Sequence, residues 1–161
     1  MTTDNTTYET KFGQLIVSRG PENDFMWSGK IDLSNDILVD EIPVYVFTKI
    51  QTIANDTAEF VEKIISDRNQ YLETAVLFIK QTLIEQREQY NIKDNEYLSI
   101  LDKNYCPVEH PEFIFYENSF EWSIRFADGI FSICDPFGIA VTFKFKTPIS
   151  VDNLEDSESV E

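Results

Sequence analysis

The stretch FEWSIRFADGIFSICDPFGIAVTFKF, residues 120–145, decides the fold. Phe120, Trp122, Ile124 and Phe126 alternate with Glu121, Ser123 and Arg125. Further on, Ile139, Val141, Phe143 and Phe145 alternate with Ala140, Thr142, Lys144 and Lys146. A period of two with one wet face marks strands of an antiparallel sheet covered on one side. Between them, IFSIC (130–134) reads as a neighbouring strand and DPFG (135–138) as the turn that follows it, so Cys134 is expected to end a strand. Just upstream, EFIFYE (112–117) and the tight ENS (117–119) complete a hairpin with the strand carrying Trp122.

Working back along the chain, no Gly or Pro interrupts residues 56–90. There Val61, Ile65, Leu72, Val76, Ile79 and Leu83 recur at spacings of three, four or seven, a stripe that faces a core. Asp56 followed by Glu59 reads as a capping box with Asp56 as N-cap, and Glu59 and Lys63 stand in the favourable i,i+4 order. About 35 residues is long for one helix of a globular domain, so two helices broken near SDRNQ (66–70) are preferred. A shorter helical turn, NEYLSILD (95–102), ends before Pro107. The first third reads as strands: KFGQLIVS (11–18), the turn RGPEN (19–23), then DFMWSGKI (24–31) with Phe25, Trp27, Gly29 and Ile31 on one face. IPVYVFTKI (42–50) is apolar on both faces and therefore central, with Pro43 near its start where a missing N–H is tolerated. Strands, helices, strands is the order of an α+β domain with a largely antiparallel sheet and two or three helices packed on one face. Residues 1–150 are expected to form that single domain, and the acidic 151–161, VDNLEDSESVE, a flexible tail.

A chain of 161 residues buries close to 70% of the surface its unfolded form exposes, so its core needs no metal or disulfide staple. The charge is more telling. Twenty-nine acidic residues face 13 basic ones, for a net −16. That balance argues against nucleic acid and against anionic membranes, and favours a basic protein partner, although an acidic surface also serves solubility. The start, MTTDNTTYETK, has no apolar segment of the kind a secretory signal carries, so the cytoplasm is the expected location. Cys106 and Cys134 belong to no C-x-x-C pair and read as free, buried thiols rather than a disulfide.

Signatures of chemistry are sparse. The chain holds no Gly-rich phosphate loop, no H-E-x-x-H and no G-x-S-x-G. His110 is the only histidine, and Cys106, His110 and Cys134 are the only soft-ligand set, at a spacing poor for zinc. The tail lacks the glycine and spacing of a calcium loop. No enzyme activity, metal or cofactor is expected. The alternatives are a small enzyme using carboxylates or the Cys106/His110/Cys134 group, and a non-enzymatic regulatory or structural module.

What remains is surface recognition, which favours aromatics at the centre of a patch and charge at its rim. Tyr45, Tyr105, Tyr116 and Trp27 are the aromatics expected to keep some exposure. Two acidic patches are expected, Asp36/Asp40/Glu41 and Glu117/Glu121/Asp128, and with Tyr45 and Tyr116 they make up the candidate partner-binding residues.

The strings FGQLIVSR and FMWSGKIDL, the helices, then FEWSIRFADGIF, PFGIAVTF and PISVDNLEDSE resemble small bacterial α+β domain families of unknown function encountered among the immunity proteins of polymorphic toxin systems. Some of those families carry a glycine–histidine pair in the strand after a D-G dipeptide. Asp128 and Gly129 match the dipeptide, but no histidine follows, so no role attached to it carries over. The resemblance implies an intracellular inhibitor that neutralises a toxin by binding it.

Overall fold

Alternating apolar residues in both outer thirds of the chain build one sheet, and the central amphipathic segment builds the helices between its halves. The computed structural model describes residues 6–32, 41–117, 119–135 and 137–154. Four strands come first: β1 (Thr7–Thr10), β2 (Gly13–Arg19), β3 (Phe25–Asp32) and β4 (Glu41–Thr48). The helices α1 (Asn55–Ser66), α2 (Arg68–Glu85) and α3 (Asp94–Leu101) follow. The chain then returns to strands in β5 (Val108–Tyr116), β6 (Glu121–Gly129), β7 (Ile139–Lys144) and β8 (Thr147–Asn153). The eight strands lie in chain order in a mostly antiparallel sheet, which makes the fold α+β as expected. The exception is β4 with β5, parallel in the register Val44↔Phe113 to Phe47↔Tyr116. A parallel pair needs a crossover connection, and the three helices supply it.

The chain falls into two compact units. One runs through Arg68 and takes in Glu112–Trp122; the other holds Asn69–Pro111 and the chain from Ser123 onward. In the first, β4 is central, as its apolar sequence predicts: Ile42, Val44 and Val46 are buried on one face, and Pro43, Tyr45 and Phe47 are half-buried on the other. Trp27 is fully buried at 1% exposure, against the expectation of a partly open ring, and its indole N–H donates to the Thr48 hydroxyl at 3.0 Å. Gly29 is required by packing, since a Cβ there would stand 2.7 Å from the Gln14 carbonyl oxygen of β2. Phe113, Phe115 and Trp122 form a cluster of near-parallel rings, each pair of centroids 5.6–6.4 Å apart.

In the second unit, α2 turns Tyr71, Ala75, Ile79 and Leu83 inward. Tyr71 meets Phe143 edge-on at 5.8 Å. Farther along, the Tyr90 hydroxyl donates to the Val151 carbonyl at 2.9 Å. Two charged groups are buried here with partners. The Lys80 ammonium donates to the carbonyls of Asp102 and Tyr105, and Glu96 accepts from the backbone N–H groups of Lys93 and Ser132.

Several expectations need correction. The helical segment does break at Asp67, but its stripe is displaced: Leu72 and Val76 are half-buried, and Tyr71 and Ala75 take their place. The break resets the helical phase, so one stripe cannot run through both helices. Asp56 is not the N-cap. Helix α1 begins at Asn55 after an extended Ala54, and the Asp56 carboxylate accepts from the adjacent Thr57 N–H at 3.1 Å. Residues 130–134 are not a strand; Ser132–Cys134 form a 3₁₀ turn that the Glu96 carboxylate ties down through Ser132 N–H. Phe120 and Phe145 lie just outside β6 and β7 and are 57% and 48% exposed, because the alternation ends where the ladder ends. At the chain's end, Val151–Asn153 continue β8, pairing with Val141, Ala140 and Ile139. The Thr142 hydroxyl bonds the Asp152 carboxylate at 2.6 Å, so ordered structure extends past the expected boundary at 150. Strand β1 lies in the polar opening that the sequence reading left unassigned.

Candidate partner-binding surface

A candidate surface lies in the first unit, where β5 ends and turns into β6. Period two sends Phe113 and Phe115 inward to 0% and 1% exposure and turns Tyr116 to the other face, where it stacks on Phe47 at 5.6 Å and stays 48% exposed. Beyond Tyr116, the Glu117 N–H donates to the Phe47 carbonyl at 2.9 Å, extending the β4–β5 ladder by one bond. The Glu117 carboxylate then accepts from the Lys49 N–H at 2.7 Å, which fixes it at the sheet end. The Ser119 hydroxyl accepts from the Glu121 N–H at 3.1 Å and shapes the turn into β6. Phe60, on α1, packs edge-on against Phe115 at 6.4 Å and Phe120 at 6.3 Å.

These elements enclose a cleft of about 210 Å³ lined by Asp56, Thr57, Phe60, Val61, Phe115, Tyr116, Ser119 and Phe120. Its walls are aromatic, and one side carries the exposed carboxylate of Asp56. Desolvation pushes the Tyr116 phenol above its ordinary pKa, so it stays a neutral donor. Beside Glu117, the Lys49 ammonium contacts Asp24 at 2.9 Å, and its pKa is raised by that hydrogen bond and charge, with Glu22 and Glu117 adding to it. One lysine is thus surrounded by three carboxylates, leaving this sheet end negative.

The expected site residues fare unequally. Tyr116, Glu117 and Glu121 come together around the β5–β6 turn. Glu41 lies at the start of β4 and pairs with Lys30 at 3.0 Å, both side chains more than half exposed, so its charge is partly answered. Tyr45 is half-buried in β4. Asp36 and Asp40 lie outside the described residues. Asp128 belongs to the second unit, exposed and 3.6 Å from His110 Nε2. Phe60, Phe120 and Asp56 were missed. The sequence pattern puts Phe120 in a strand alternation and Asp56 at a helix cap, and a helix residue opposite a turn leaves no local sequence signal.

The soft-ligand residues are dispersed in character. Both cysteines are free, but only Cys134 is buried as expected; Cys106 lies in the exposed segment before β5, with its thiol 3.2 Å from the Val108 carbonyl. Burial, with the nearby charges of Glu96 and Asp128, pushes the Cys134 thiol up to about 11. A thiol kept protonated at neutral pH is a poor nucleophile and a poor metal ligand. His110 is exposed, with a positive φ of 59°. Among the described residues no group of three or more His, Cys, Asp or Glu side chains is placed to hold a metal ion, and no helix is long and apolar enough to cross a membrane. Comparison with family models, curated proteins and solved structures found no match to this chain.

Proposed function

We propose that the chain is a cytosolic binding protein, an immunity protein that neutralises a cognate bacterial toxin by direct contact and carries out no reaction of its own. The observation that carries this reading is the aromatic cleft at the β5–β6 turn, with Asp56 in its lining, on a chain of net charge −16. Exposed aromatics in a cleft with charge around them are the composition of an interface centre and its rim. The surplus of carboxylates favours a basic partner, because an acidic field steers a positively charged protein into encounter.

The test is capture with tagged protein from the native host, followed by expression of the captured protein alone and with this chain. A stoichiometric basic protein that arrests growth alone, and is silenced by co-expression, is the expected result. A captured partner with no toxicity would leave a binding module and remove the immunity role. Turnover lost when Cys106, His110 and Cys134 are replaced together would overturn the non-enzymatic reading.

A further inference from the structure

We propose that the cleft between the first turn of α1 and the β5–β6 turn receives an arginine or lysine side chain presented by a basic partner; this rests on the binding reading above and names what the partner brings. The lining is mixed in a particular way. Phe60, Phe115 and Phe120 give it aromatic walls, and Asp56 adds a carboxylate. A purely apolar side chain would suit the rings but would bring nothing to meet Asp56. An anion would suit the N-terminus of a helix, but Asp56 already occupies that position and takes the Thr57 N–H. The chain's net charge of −16 opposes a second negative charge. A long cationic side chain satisfies both halves. Its methylene stem lies along the rings while its head meets the carboxylate or an aromatic face. A volume of about 210 Å³ admits one such side chain.

The test needs no toxin. Backbone amide NMR shifts are followed while protein is titrated with Nα-acetyl-arginine methylamide, its lysine counterpart, the neutral Nα-acetyl-norleucine methylamide and inorganic phosphate. The expected result is saturable shifts at Phe60, Ser119 and Phe120 with one or both cationic probes, with the norleucine probe about tenfold weaker. Asp56→Asn and Phe120→Ala should each weaken the cationic probe by a similar factor. Both side chains are exposed, so the rest of each spectrum should superimpose on the wild type and exclude misfolding. Equal binding of norleucine, phosphate shifting the same amides, or no saturable shift in the cleft by about 10 mM cationic probe overturns the proposal. Failure here leaves the capture experiment standing. Failure of capture with a cationic probe seated in the cleft would remove the immunity reading alone.

Discussion

Replacing Trp122 by alanine tests the aromatic cluster on which the β5–β6 turn is built. The indole is 1% exposed and lies against Phe113 at 6.1 Å and Phe115 at 5.6 Å, both rings themselves buried. A buried aromatic of this size removes about 150–250 Å² from water. At about 25 cal/mol per Å² that is roughly 4–6 kcal/mol gross. Alanine keeps part of it, and two stiff neighbouring rings cannot close the cavity, so the expected loss is about 3–5 kcal/mol. Glu121, next in sequence but exposed, should cost no more than about 0.5 kcal/mol as alanine. The assay is urea unfolding followed by far-UV circular dichroism and by fluorescence. The chain has two tryptophans, so Trp27 remains as the reporter in the variant. Coincident transitions license a two-state reading. Similar losses at Trp122 and Glu121, or a Trp122 loss below about 1 kcal/mol, would refute the assignment of faces in β6.

Three further outcomes are expected. Gly138→Ala should cost more than about 3 kcal/mol in the same melt, because φ is +85° and a Cβ would stand 2.0 Å from the Phe126 carbonyl oxygen; Gly20→Ala, whose nearest contact would be an ordinary 3.4 Å, should stay within about 1 kcal/mol. Cys134 should resist a thiol reagent that modifies Cys106 at once, and stability should fall from pH 9 towards pH 11. Over that range the unfolded thiol, with its ordinary value of 9.0, gives up its proton while the folded one, at about 11, keeps it. The loss is on the order of 2 kcal/mol, and a flat alkaline profile in wild type and Cys134→Ala alike would refute it. Association with the captured partner should slow as salt rises and the Debye length shrinks from about 10 Å at 0.1 M to about 3 Å at 1 M. Glu117→Gln with Glu121→Gln should flatten that dependence while leaving the dissociation rate nearly unchanged, and a wild-type on-rate indifferent to salt would defeat the steering argument.

Elements with a regular apolar pattern were legible in the sequence. Strand β3 reveals itself through Trp27 and Ile31, β4 through apolar residues on both faces, and α1 and α2 through a periodic stripe without Gly or Pro. Their pattern is written by burial, which is what periodicity reports. Strand β1 escaped because an edge strand of sequence TYET has no apolar face to betray it. The helix start at Asn55 escaped for a different reason. Asp56 can serve either as a cap or within the first turn, and only the extended Ala54 decides between them. The IFSIC segment escaped because five apolar-rich residues fit a short strand as well as a 3₁₀ turn; what selects the turn is the Glu96 carboxylate, 36 residues away in sequence.

The candidate surface was half legible for a related reason. Tyr116, Glu117 and Glu121 stand out as polar and aromatic residues around a tight turn, whereas Phe120 continues the inward alternation of the strand it precedes and so reads as core. The ladder begins one residue later, at Glu121, and a side chain outside the ladder is not bound to its faces. Phe120 is consequently 57% exposed and meets the edge of Phe60. A large aromatic left half open beside a turn departs from an otherwise consistent pattern, and such departures are where function is sought. Phe145 breaks its own alternation in the same manner, but no cleft among those described adjoins it. The difference between the two lies in their surroundings. Phe120 shares a cleft with a carboxylate and three further rings, those of Phe60, Phe115 and Tyr116, and that conjunction, rather than exposure alone, is what the proposal of a docking site at the β5–β6 turn rests on.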